Sequence, residues 1–285
     1  MSSRSPDESL RVAQALADAA AAESMKWFRT PLDVITKADE SPVTLADRAA
    51  ETAMRDILAT HRPADGIYGE EHGLERLDAD SVWVLDPIDG TRSFITGSPL
   101  WGTLIGLLES PQGRASPVPP PMGDRVETAK PHRLEGGRIT LGMIDMPVLG
   151  ERWIGQAGKG ATRNGQSVRV STVSEVGKAR IVSTSPDIFG PADWQAFDRL
   201  SRACAMRRFG GDCYGYAQLA GGTIDLVVEA GLQPYDYLGP AGLIEAAGGV
   251  ITDWSGQPLG LQSDGRVIAA ATPALHRAAL ALLNA

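Results

Sequence analysis

Cysteine is nearly absent from the sequence, with only Cys204 and Cys213, and the four histidines, His61, His72, His132 and His276, are scattered. Two thiols cannot build a disulfide framework or a four-thiolate zinc site. No His-Glu-x-x-His occurs, which argues against a zincin. Positive charge is also short. The 27 Lys and Arg residues face 35 Asp and Glu, a net charge of −8, and this argues against nucleic-acid binding through a bulk basic surface. A phosphorylated substrate stays open, because a bound metal inverts local charge. No run of 18 apolar residues exists to span a membrane as a helix. The polar start, Met1-Ser-Ser-Arg-Ser-Pro-Asp-Glu8, lacks the apolar core of a signal peptide. A cytoplasmic protein with no nucleic-acid or membrane partner is the expectation. No internal repeat is visible.

What is present suits a globular chain. The 285 residues are 43% hydrophobic and 22% charged, enough for one large domain or two moderate ones with a sizeable core. Apolar periodicity predicts a helix from about Glu8 to Phe28 and a second from the Ser41-Pro-Val-Thr44 entry, with Thr44 as N-cap, to about Ala59. Short apolar runs at Gly66–Gly69, Val82–Leu85, Gly102–Leu108 and Ile139–Ile144 read as strands. After Gly150, strand-like runs at Trp153–Gln156, Ile181–Thr184, Leu226–Glu229, Val250–Thr252 and Val267–Ala271 alternate with helical patterns, and Asn164-Gly165 reads as a hairpin turn. This alternation predicts a layered α/β arrangement, divided into an N-terminal α+β part, 1–148, and a C-terminal α/β part, 149–285. Between them, Ser110–Gly137 holds six of the 19 prolines and few large apolar residues. It reads as a surface loop or an unfolded insertion.

Chemistry concentrates where strands end in acid: Glu70-Glu71 after one strand, Asp86 after another. In Trp83-Val-Leu-Asp86-Pro-Ile-Asp89-Gly90-Thr91, Pro87 and Gly90 force a tight turn that aims two carboxylates into one small volume. Hard divalent cations want such oxygen ligands, and a helix opening at Thr91 offers amides to a phosphate. Taken alone, the segment fits a side-chain-capped Asp-Pro/Asp-Gly turn equally well.

Asp86-Pro-Ile-Asp-Gly-Thr91 resembles the first signature of the inositol monophosphatase family, magnesium-dependent phosphatases. Gly69-Glu70-Glu71, Lys37 with Ser41-Pro-Val-Thr-x-x-Asp47, and Pro234-Tyr-Asp236 followed by Gly239–Gly249 resemble its other motifs, in order. The resemblance covers nearly the whole chain except Ser110–Gly137. It implies a layered α-β-α-β-α sandwich. It also implies Glu70, Asp86 and the Ile88 carbonyl on one Mg²⁺ and Asp86, Asp89 and Asp236 on a second, with a third, loosely held ion near Glu70. Asp47 and Thr91 would orient and deprotonate the attacking water in a direct in-line displacement. The Gly90 and Thr91 amides would hold the phosphate, and Lys37 would contribute electrostatically. Family analogy alone suggests a homodimer. Neither Glu71 nor Arg92 is expected to be essential.

Charge supports metal dependence independently. Four converging carboxylates carry about −4, and a phosphate monoester adds about −1.5 to −2. Each pair of like charges 4 Å apart costs about 4 kcal/mol at an effective dielectric constant near 20. Only cations turn that repulsion into attraction.

Arg208-Phe-Gly-Gly-Asp212-Cys-Tyr and Val228-Glu229-Ala-Gly-Leu-Gln-Pro-Tyr-Asp236 resemble histidinol-phosphate phosphatases of this type, as does Gly102-Thr-Leu-Ile105. Leu238-Gly-Pro240 departs from the pattern and is read as the first turn of a helix, where proline is tolerated. Asp212 and Glu229 would offer carboxylates to the substrate's ammonium, and Asp212 could equally cap a helix starting near Cys213. The expected activity is hydrolysis of L-histidinol phosphate, a step of histidine biosynthesis. The alternatives are inositol monophosphatase, a broad sugar-phosphate phosphatase, or a non-catalytic homologue that binds metal or a partner.

Overall fold

The computed structural model describes residues 6–30, 42–110 and 137–285. Lys37, Ser41 and nearly all of the proline-rich stretch lie outside them. Helices α1 (Pro6–Ser24) and α2 (Pro42–His61) lead into β1 (Gly66–Gly69), β2 (Leu74–Glu75), β3 (Ser81–Asp89) and the short α3 (Thr91–Ile95). Strands β4 (Gly102–Glu109), β5 (Arg138–Met146), β6 (Glu151–Gln156), β7 (Gly160–Arg163) and β8 (Gln166–Val168) follow. Then come β9 (Arg180–Ser183), α4 (Pro191–Ala203), β10 (Met206–Phe209), α5 (Tyr214–Ala220) and β11 (Leu226–Glu229). Helix α6 (Pro234–Ala246), strands β12 (Val250–Asp253) and β13 (Val267–Ala270), and α7 (Pro273–Leu283) complete the described chain.

β3 is buried along almost its whole length, and alternation splits its side chains between two cores. Trp83 and Leu85 join Leu16, Met54 and Leu58 of α1 and α2. Val82 and Val84 face the other way, toward Tyr237, Leu243 and Ile244 of α6. Covering both faces of a sheet with helices requires such continuous apolar strands. The first sheet has the order β2-β1-β3-β4-β5-β6-β7-β8, with only β1–β3 parallel. The second has the order β10-β9-β11-β13-β12. Its strand β11 sends Val227 toward the core shared with α6 and Leu226 and Val228 toward Phe197 and Leu200 of α4 and Leu275 and Ala279 of α7. The layers are therefore α1/α2, first sheet, α5/α6, second sheet, α4/α7, the α-β-α-β-α sandwich.

Several placements differ from the sequence reading. The first sheet continues to Val168 and the second starts at Arg180, so the break between sheets falls well after 148/149. Pro147–Gly150 closes a hairpin between β5 and β6. Thr44 lies inside the first turn of α2, which opens at Pro42, a proline position at a helix start. Pro240 lies in the interior of α6, because the helix starts at Pro234, and its missing N–H leaves the Asp236 carbonyl without its helical donor. The Asn164-Gly165 turn is as expected, with φ of 48° and 78°, the left-handed pair that a two-residue hairpin needs.

Glycine decides how close α6 comes. Gly106, Gly142 and Gly155 stand side by side across β4, β5 and β6, beneath Gly239 and Gly242 of the helix. A Cβ on Gly142 would lie 2.1 Å from the Gly239 carbonyl oxygen and 2.6 Å from the Leu243 nitrogen. Gly142→Ala is therefore expected to destabilise the protein by about 1–3 kcal/mol, the range for overpacking. Denaturant unfolding checks this, and an unchanged midpoint would mean that α6 has room to move.

Candidate active site

Asp86 and Asp89 are three residues apart, a spacing that puts side chains on opposite faces of a regular strand. β3 is not regular there. Asp86 pairs with Leu104 and Asp89 with Gly102, so three steps along β3 match two along β4. This bulge carries an extra residue and turns both carboxylates to one side. Thr103, fully buried, donates its hydroxyl to the Pro87 carbonyl at 2.8 Å and pins the bulge. From the opposite layer, the first turn of α6 delivers Asp236, where the helix dipole favours an acid. Its carboxylate accepts the Gln233 N–H at 2.6 Å.

Asp86, Asp89 and Asp236 each offer an oxygen, all within 4.8 Å of one another. Asp89 also accepts the Cys213 N–H at 2.7 Å. Burial and neighbouring acids push Asp86 and Asp89 well above the usual carboxylate range. Asp236 is pushed up to about 7 by desolvation and then by Glu70 and Glu229, against its bond to Gln233. Glu70 is solvent-accessible as a residue, yet its carboxyl is raised by desolvation while a hydrogen bond to Asp86 holds it down. Asp47, on α2, is 4% exposed. Its burial and the charges of Glu70, Glu71, Glu51 and Asp89 push it up to about 9.

The donor set fits a divalent cation. Asp86 Oδ1 and Asp47 Oδ1 are buried with no hydrogen-bond partner, a costly state for a carboxylate oxygen. Hard oxygens from three or four converging acids are what Mg²⁺ takes.

At the other side of the turn, Gly90 adopts φ 87° at the start of α3. A Cβ there would be strained and 2.9 Å from Asp212 Oδ2. That same oxygen accepts the Ser93 hydroxyl at 2.6 Å. Asp212 therefore reaches from the α5 side of the molecule to the Gly90 turn. Glu229 is 3% exposed and accepts hydrogen bonds from the Thr184 N–H (3.0 Å), the Thr184 hydroxyl and the Tyr216 hydroxyl (2.9 Å).

The profile of the inositol monophosphatase family matches residues 5–133 and 133–285. The chain belongs to the inositol monophosphatase family. A chloroplastic bifunctional phosphatase of Arabidopsis thaliana, IMPL2, is 39% identical over 287 residues, covering 98% of this chain and 75% of that protein. A histidinol-phosphatase of Chlorobaculum parvum is 33% identical over 262 residues and 91% of each chain. Among solved structures, an inositol monophosphatase from Zymomonas mobilis superposes with a TM-score of 0.84 at 39% identity, covering 99% of this chain and 100% of that one.

Within this family framework the structure brings Glu70, Asp86, Asp89 and Asp236 together and sets Asp47 close enough to feel Glu70 and Asp89. Thr91 is exposed, its Oγ1 3.5 Å from the Ile88 carbonyl oxygen, and no hydrogen bond joins it to Asp47. Lys37 lies outside the described residues. Asp212 and Glu229, the two acids expected on the substrate side, are both hydrogen-bonded within the protein. Asp212 does not cap α5: the N-cap is Cys213, without a side-chain cap, and the Asp212 carboxylate is turned to Ser93. Glu229 is oriented by Thr184, on Oε1, and by Tyr216, on Oε2. Glu71 faces Arg48, with 3.4 Å between Oε2 and Nε. The sequence reading missed Ser93 and Thr103. Serine at Asp86+7 and threonine opposite the turn carry no spacing signal, since their partners come from other strands and layers.

Proposed function

We propose that this protein is a magnesium-dependent phosphomonoesterase acting on L-histidinol phosphate. Phosphatase chemistry comes with the family; the ester is the finer step. Asp86, Asp89 and Asp236, with Glu70 and the Ile88 carbonyl, would hold the metal. When bound, Mg²⁺ supplies charge neutralisation and a water acidic enough to attack at neutral pH. Asp47, buried with one oxygen unengaged, takes the proton of the attacking water, and Thr91 orients that water. The Gly90 and Thr91 amides, at the start of α3, hold the phosphate. Asp212 accepts the substrate ammonium beside the phosphate-side turn, and Glu229 acts from behind through Thr184 and Tyr216.

The observation that carries the substrate is Asp212. It brings a carboxylate that accepts the Ser93 hydroxyl to the Gly90 turn, where a polyol phosphate has no cation to offer it and an amino-alcohol phosphate does. The Chlorobaculum parvum histidinol-phosphatase supports the same reading, while the Zymomonas mobilis structure, named an inositol monophosphatase, favours inositol phosphate as the second reading. Phosphate release from L-histidinol phosphate and inositol 1-phosphate, each with Mg²⁺ and with EDTA, separates them. Histidinol phosphate should lead in kcat/KM and EDTA should abolish both rates. Asp212→Asn should cost histidinol phosphate about 10–100-fold, the worth of one charge-assisted hydrogen bond, and leave glycerol 2-phosphate nearly unchanged. Equal losses on both esters would remove amine recognition from Asp212, and equal wild-type rates on both substrates would favour the second reading.

A further inference from the structure

We infer that Glu51 is a positioning residue for the Glu70 loop, and that metal affinity depends on its carboxylate. This rests on the metal-dependent reading above. Asp47, Glu51 and Arg55 follow at four-residue steps along α2 and so share one face of the helix. Asp47 is at the site; the other two meet the loop that follows β1. Glu51 is fully buried. One of its oxygens accepts the Glu71 N–H at 2.7 Å, and the other accepts the His72 N–H at 3.2 Å and Arg55 Nε at 2.7 Å. Arg55 also donates to the Gly73 carbonyl at 2.6 Å and to Glu75 at 3.3 Å.

Glu70 is thereby held from both sides. Its own N–H donates to the Leu85 carbonyl at 3.2 Å, immediately before Asp86. The next two amides end on Glu51. The contact is close: a Cβ on Gly69 would lie 2.1 Å from Glu51 Oε1, so the strand end and the carboxylate fit only with glycine there.

A carboxylate is specifically required. Ionised, it is acceptor-only and can take all three donors, whereas an amide has one acceptor oxygen and a nitrogen that donates. Glutamine at 51 would turn that nitrogen toward a backbone N–H and leave a buried donor unpaired. Groups that orient metal ligands from behind usually change metal affinity about 10–100-fold when removed.

The test uses the full chain, wild type and Glu51→Gln. Calorimetric Mg²⁺ titration should give an affinity weaker by about 10–100-fold in the variant. Amide hydrogen exchange should accelerate at residues 70–73, while the body of the first sheet keeps its protection. Arg55→Gln, which leaves the carboxylate in place but removes its cation, should move both readouts the same way and serves if Glu51→Gln does not fold. Unchanged Mg²⁺ affinity in a folded variant, or unchanged exchange at 70–73, would overturn the inference. Failure of the metal reading appears instead in the wild-type protein, as an absence of Mg²⁺ binding, and would overturn the inference with it.

Discussion

Asp86→Asn is expected to lower kcat by at least about 10³-fold on every phosphate ester and to abolish the rise in Tm that Mg²⁺ gives the wild type. The size follows from position. Asp86 is 1% exposed, stands within reach of both Asp89 and Asp236, feels the charge of Glu70, and keeps one oxygen with no partner. Every other acid of the site is arranged around it. Asparagine matches its shape but offers one neutral oxygen, so the cation loses a full charge at the centre of the cluster. Metal-ion stabilisation of phosphoryl transfer is worth several kcal/mol, and about 4 kcal/mol corresponds to 10³ in rate. The fold should not suffer. Burial and acidic neighbours disfavour the ionised form of Asp86, so in EDTA an uncharged asparagine of the same shape relieves that strain and adds none. Phosphate release and a thermal-shift titration with Mg²⁺ check both halves. A variant with near-wild-type turnover would remove Asp86 from the reaction; a variant that unfolds in EDTA would make Asp86 a structural group.

Asp86, Asp89 and Asp236 were legible because the elements that carry them are marked locally: an apolar strand before Asp86, proline and glycine in the turn, Pro234 opening a helix. What makes Asp86 and Asp89 neighbours was not legible. The bulge depends on the register of β3 against β4 and on the Thr103 hydroxyl, and one strand's sequence does not state its partner's register. Glu229 shows the same. Its place at a strand end before a glycine turn marks it out, but the partners that orient it, Thr184 and Tyr216, lie 45 and 13 residues away and carry no local signal. Strand β10 escaped because Met206-Arg-Arg-Phe209 is an exposed edge strand, without the apolar run that marks a covered one. The 148/149 division lies in the Pro147–Gly150 turn between β5 and β6, whose residues mark a hairpin as readily as the start of a new unit.

In EDTA the protein is expected to lose thermal stability as pH rises from about 6.5 to 8.5, and Mg²⁺ is expected to remove that loss. The folded pKa of Asp236 is about 7 and that of Asp47 about 9, against about 3.9 for an unfolded aspartate. Across this window the folded state therefore holds protons that the unfolded state has released. Stability then falls with pH, by about 1.4 kcal/mol per pH unit for each proton retained. The contribution is complete below the unfolded pKa and is lost as pH passes the folded values, first for Asp236 and then for Asp47. His276 works in the opposite direction, because burial lowers its pKa, but its effect is confined to pH below about 6.5, where unfolded histidine takes up its proton. Mg²⁺ reverses the preference at the site: it binds the ionised carboxylates, so its stabilisation grows as pH rises. At roughly 2–4 °C per kcal/mol for a chain of this size class, the EDTA and Mg²⁺ curves should separate by several degrees between pH 6.5 and 8.5, and the gap should close toward pH 5. Parallel curves across that range would mean that the acids of this cluster do not bind the metal, and both the site and the reaction assigned to it would have to be placed elsewhere.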